Sequence, residues 1–122
     1  MKTKSAKSKG RKLQDFVRDL IHECTGIRLK TRIMGECGDD VYPIDKDWPI
    51  YIECKNCEKL SMWSVLKSIK NKTKKLPVLI IKRNHEEPVA VIPLSGLTSL
   101  GFFNIFKESE VNSEETKTAQ II

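Results

Sequence analysis

Two carboxylates and one ammonium stand at a spacing that hydrolytic chemistry uses. Glu53 and Lys55 belong to Tyr51-Ile52-Glu53-Cys54-Lys55-Asn56, a run of strand-forming residues in which positions i and i+2 share a face. Thirteen residues before Glu53 lies Asp40, and between them Asp45-Lys46-Asp47-Trp48 reads as a four-residue hairpin turn. That turn sets an antiparallel register in which Ile44 opposes Pro49, Tyr42 opposes Tyr51 and Asp40 opposes Glu53. Opposed side chains have Cβ atoms about 4.5 to 5.5 Å apart, so two like charges there repel unless a positive charge sits with them. A divalent cation and the Lys55 ammonium both meet that need. A slip of one residue would pair Asp40 with Cys54 and send Glu53 to the other face, so the chemistry depends on register.

Hydrolysis of a phosphodiester is a reaction that wants this set. A metal ion polarises the phosphoryl oxygen and lowers the pKa of a bound water, and carboxylates are the hard oxygen ligands that magnesium prefers. Asp40 and Glu53 fit as ligands, with the backbone carbonyl of Cys54 as a further one. Lys55 fits as the group that orients or helps deprotonate the attacking water, or that stabilises charge on the phosphate.

The elements around this hairpin follow from periodicity. Leu13, Phe16, Val17, Leu20, Ile21 and Cys24 fall at helical spacing as one buried stripe, and Gly26 stops the helix. Residues 27–33 alternate apolar and basic, as a half-buried strand does, and its polar face carries Arg28, Lys30 and Arg32. That row either blunts a sheet edge or holds a phosphate backbone. Residues 34–39 form a loop with Gly35 and Gly38. From about residue 58 to 75, Leu60, Met62, Trp63, Val65, Leu66 and Ile69 form a second helical stripe, with Trp63 assigned to the core rather than to base stacking. Residues 77–83 are almost continuously apolar, as in a strand covered on both faces. Residues 88–93, with a proline at each end, suit an edge strand, and residues 95–106 a short helix. The order is helix, three strands, helix, two strands: an α/β fold around one small mixed sheet.

With 122 residues the chain has one-domain length, and its composition is that of a soluble protein. No apolar run approaches the ~20 residues of a membrane span, and the start has no apolar leader, which points to the cytoplasm. Lysine and arginine number 22 against 16 acidic residues, for a net charge of +6. The lysines crowd residues 2–12 and 67–75, while acidic residues gather in the tail, so the body is more basic than the total. A polyanion such as nucleic acid is the partner this favours over a merely solvated lysine surface. Cys24, Cys37, Cys54 and Cys57 include one C-x-x-C but no second close pair, and the histidines, His22 and His85, stand apart; ordinary reduced thiols fit better than zinc or a disulfide.

Taken together these residues resemble the PD-(D/E)xK nuclease superfamily. The short motif, Asp40 followed by Glu53-Cys54-Lys55, is common. The extended match adds Ser8-Lys9-Gly10 opening the first helix, an arginine-bearing strand, a glycine-containing loop before Asp40, and Leu76-Pro77-Val78-Leu79 after the second helix. Over about Lys9 to Leu94 the chain is similar to small Holliday junction resolvases of the archaeal type and their virus-borne relatives. The resemblance implies a restriction-endonuclease-like αβββαββ core at residues 9–106, while composition makes 1–8 a flexible basic segment and 107–122 a disordered tail. The resemblance also implies that Asp40 and Glu53 bind Mg2+ or Mn2+, that Lys55 assists the water, and that the substrate is DNA, branched in the resolvases. Symmetric cutting of a junction asks for two active sites, which a homodimer would supply. Lys9, Arg11, Arg28, Lys30, Arg32 and Lys59 are the candidate nucleic-acid contacts. The family often carries a glutamate four residues after the Lys-Gly pair, where this chain has Gln14. A neutral amide still offers a carbonyl to a metal or water but no charge. The competing reading is a nucleic-acid-binding module without catalysis, in which the acidic pair is only salt-bridged to Lys55.

Overall fold

The computed structural model describes residues 2–33 and 36–107. The tail beyond Lys107, and Met34 and Gly35 of the loop, lie outside the described residues.

Helix α1 runs Lys2–Thr25, so the segment before Ser8, expected from its composition to be mobile, is helical in the structure. Nothing in Lys-Thr-Lys-Ser-Ala-Lys interrupts a helix, and the apolar stripe downstream anchors it. Gly26 ends it, at φ 75°, with its N–H donating to His22 O over 2.7 Å. The left-handed conformation and that bond are those of a glycine closing a helix. Within the stripe, Leu13 and Val17 are buried and Ile21 half-buried, whereas Phe16 and Leu20 are about half exposed. The expected stripe is therefore wider than the face that packs.

Strands β1 (Leu29–Thr31), β2 (Val41–Pro43), β3 (Ile50–Asn56), β4 (Leu76–Lys82) and β5 (Val89–Val91) form one sheet in that spatial order. The pairs β1–β2, β2–β3 and β4–β5 are antiparallel and β3–β4 is parallel. Parallel neighbours require a crossover, which is helix α2 (Met62–Lys72). Helix α3 (Leu94–Ser99) and a 3₁₀ turn over Phe102–Phe106 replace the single expected helix, broken at Gly101 with φ 77°. The molecule is thus α/β, a small five-stranded mixed sheet flanked by helices. No helix among the described residues is long and apolar enough to cross a membrane.

Parity divides the two faces. Ile52, Cys54 and Val78 join Leu29, Val41 and the α1 residues Leu13 and Val17 in the main core. Trp48, from the hairpin turn, folds into the same cluster. The alternate residues Tyr51, Glu53 and Leu79 point to the other side, toward α2, whose Leu66 and Ile69 are buried. Trp63, assigned to the core by its spacing, is 84% exposed. Trp63 stands three residues before Leu66, in the first turn of α2, so helical spacing alone does not bury it.

Candidate active site

The expected register holds where β2 and β3 pair, although the connection runs over residues 44–49 rather than the expected four-residue turn. Val41 pairs with Ile52, the pairing that places Asp40 beside Glu53. Asp40 itself is held from three sides. Its N–H donates to Ile52 O (2.7 Å), its carbonyl accepts the Arg32 N–H (2.8 Å), and its Oδ2 accepts the Cys54 N–H (2.7 Å). A residue joined to both neighbouring strands has little freedom, so its remaining carboxylate oxygen is aimed by the backbone rather than by a rotamer choice.

Asp39 has a different task. Its Oδ1 accepts from Arg32 Nη2 and its carbonyl accepts from Arg32 Nε, each over 3.0 Å. The Arg32 guanidinium also lies 4.1 Å from the centre of the Tyr42 ring. Gly38, at φ 121°, lets the loop pass this group, since a Cβ there would lie 2.8 Å from Arg32 Nη2. Of the two adjacent aspartates, Asp39 fastens the loop and Asp40 faces the site.

Glu53 is buried, with 8% exposure. Lys55 Nζ stands 3.6 Å from its Oε2 and Lys72 Nζ, from the last turn of α2, 3.7 Å from its Oε1. Burial pushes the Asp40 carboxyl above the usual carboxylate range; the Cys54 N–H opposes this, the charge of Glu53 adds to it, and Lys55 opposes it. The two carboxylates therefore sense each other. Tyr51, on the Glu53 face, is likewise raised, first by burial and then by the charge of Glu53. Cys54 points to the core face, and burial followed by the charges of Asp40 and Glu53 pushes its thiol up to about 12.

A cleft of about 340 Å³ opens beside these groups, and its lining includes Lys7, Arg11, Gln14, Arg32, Asp40 and Lys55. Gln14, singled out by the resemblance, lines the same cleft as Asp40 and Lys55. The other expected nucleic-acid contacts are spread more widely. Lys9 donates to Asn84 Oδ1 over 3.0 Å, Arg28 is paired with Asp45 at 2.5 Å, and Lys30 and Lys59 are exposed. Sequence spacing alone gives Lys72 no place at the site, although it stands three positions after Ile69 and so shares its face.

Among the described residues no three His, Cys, Asp or Glu side chains converge as a metal-holding group. Two carboxylates do adjoin, each buried enough to be costly as an uncompensated charge. Magnesium is commonly held by one or two carboxylates and completes its shell with water and substrate phosphate, so this donor set fits it. The Gln14 amide oxygen and the Cys54 carbonyl are neutral oxygens of the same hard type. Of the four cysteines, Cys54 is buried and Cys24, Cys37 and Cys57 are exposed.

Comparison of the chain with protein-family models, with curated proteins and with solved structures finds no match.

Proposed function

We propose that the protein is a metal-dependent DNA endonuclease of the PD-(D/E)xK type, built on a restriction-endonuclease-like topology. The observation that carries this reading is the placement of Asp40, Lys55 and Gln14 on one cleft, with Glu53 adjoining through Lys55 and with Lys7, Arg11 and Arg32 in the lining alongside Asp15 and Glu36. In this reading Asp40 and Glu53 hold a Mg2+ or Mn2+ ion, helped by the Cys54 carbonyl and the Gln14 amide. The ion, when bound, supplies Lewis acidity and a water of lowered pKa.

The chain's own residues do the rest. Lys7 and Arg11 in the lining are the groups that would meet the phosphate backbone and offset repulsion by the carboxylates. Lys55, whose Nζ is 3.6 Å from Glu53 Oε2, would be free to turn toward the water or the scissile phosphate if Glu53 held a metal ion. There it orients the nucleophile or offsets charge building on the phosphoryl oxygens. The rigid seating of Asp40 between two strands fixes the geometry of the reacting groups.

Branched DNA is the substrate favoured within this class, with a homodimer presenting two such sites to a junction. The test is cleavage of labelled four-way junction, linear duplex and single strand, each with magnesium and with chelator, by the wild type and Glu53→Ala. Paired symmetric cuts in the junction, lost in chelator and in the variant, are the expected result. Equal cutting of all three substrates would leave a general nuclease. Tight binding without cutting would mean a binding module in which the lysines simply neutralise Glu53.

A further inference from the structure

Glu53 meets a cation from each of two elements. Lys55 lies on its own strand, whereas Lys72 arrives from α2, 3.7 Å from Oε1. Its approach is set by packing: Ile69, one turn earlier, is fully buried, and residues three apart on a helix face the same way. The two partners differ in exposure, with the Lys72 side chain 53% exposed and that of Glu53 11%. A buried carboxylate needs compensation, and two ammonium groups supply it in the cation-free protein.

A divalent ion arriving at Glu53 meets two positive charges already in place. Lys55 stands one residue from the end of β3 and lines the cleft, its side chain 43% exposed. Lys72 ends a long flexible stem at the surface and can turn into water at little cost. We infer that Lys72 is a positioning residue that holds Oε1 of Glu53 in the cation-free protein and gives it up when a divalent cation binds. The inference rests on the metal-site reading above in one respect, that Glu53 is a ligand. Its consequence is that Lys72 competes with the metal, and removing it tightens metal binding.

Direct binding separates this from loss of a structural ion pair. Mn2+ is titrated into the full chain and free Mn2+ read by electron paramagnetic resonance, for wild type, Glu53→Gln, Lys72→Met and Lys72→Arg, with thermal unfolding measured on each. Glu53→Gln is expected to weaken binding about tenfold or more, as loss of a charged ligand does. Lys72→Met is expected to tighten it about two- to fivefold, the scale of one half-exposed ion pair, and Lys72→Arg to restore the wild-type value. Wild-type binding with Lys72→Met equal or weaker overturns the role of Lys72 and leaves the metal site standing. Absence of Mn2+ binding in the wild type overturns both.

Discussion

Asp40 Oδ2 accepts the backbone N–H of Cys54 over 2.7 Å, so a side chain takes a β3 N–H that a strand neighbour would ordinarily take through its carbonyl. The same carboxyl is raised by burial and by Glu53. Such a group favours its protonated form in the native state. Between the ordinary carboxylate pKa and the raised native value, the folded chain binds more protons than the unfolded chain, so stability falls as pH rises through that window. Asp40→Asn keeps an acceptor for Cys54 and removes the charge. We expect its metal-free melting temperature at neutral pH to equal or exceed that of the wild type, with the difference growing from acid upward, while cleavage falls more than about 100-fold. A marked loss of stability at neutral pH would show that Asp40 is chiefly structural.

Gln14 faces the cleft where a third carboxylate would strengthen a cation site. Gln14→Glu adds a charge without changing size, beside Asp40. We expect Mn2+ binding about tenfold tighter, the effect of about 1.4 kcal/mol, and cleavage that persists at lower magnesium. The variant should also raise the cost of the cation-free state through added repulsion. Unchanged Mn2+ affinity would place Gln14 outside the metal's reach.

Arg32 and Lys30 sit two residues apart and behave differently. Arg32 is bound to Asp39 and stacked on Tyr42, with side-chain exposure of 23% against 12% for Asp39. Removing it leaves a largely buried carboxylate unpaired next to Asp40. Arg32→Ala is expected to cost about 2 kcal/mol of stability in denaturant unfolding. Lys30 is exposed on β1. Lys30→Ala should change stability by less than about 0.5 kcal/mol, and on the nucleic-acid reading should lower the salt dependence of DNA binding by about one ion. Equal stability losses would show that the two charges are equivalent surface groups.

The contrast between these two residues marks where sequence reasoning reaches and where it stops. The register is legible from strand parity, and Val41 pairs with Ile52 as it requires, although six residues rather than four connect the strands. The stop at Gly26 was readable from local conformational preference alone. What periodicity gives for a helix is a face, and its breadth depends on what packs against it. Phe16, Leu20 and Trp63 share the spacing of buried neighbours and yet are exposed, because a small sheet covers only part of each helix. The engagement of Arg32 with Asp39, and of Lys72 with Glu53, comes from tertiary approach. Neither strand alternation nor helical spacing states which partner a basic side chain will find.

Thiol reactivity offers a test of the fold that is independent of any activity. Cys24, Cys37 and Cys57 are exposed, while Cys54 is buried on the core face of β3 with its thiol pushed up to about 12. The thiolate is the reactive form, so a thiol pushed up by burial is scarcely ionised at pH 8, before steric protection is counted. In native protein at pH 8, three thiols should react with a soluble disulfide reagent at ordinary rates. The fourth should follow only as the sheet opens, accelerating with denaturant. Burial is the larger cause of the shift, so Asp40→Asn should leave Cys54 slow; fast labelling there would mean that charge, rather than packing, protects it. Uniform reaction of all four thiols in the wild type would contradict the assignment of Cys54 to the face packed against α1, and with it the parity that puts Glu53 and Lys55 together on the other.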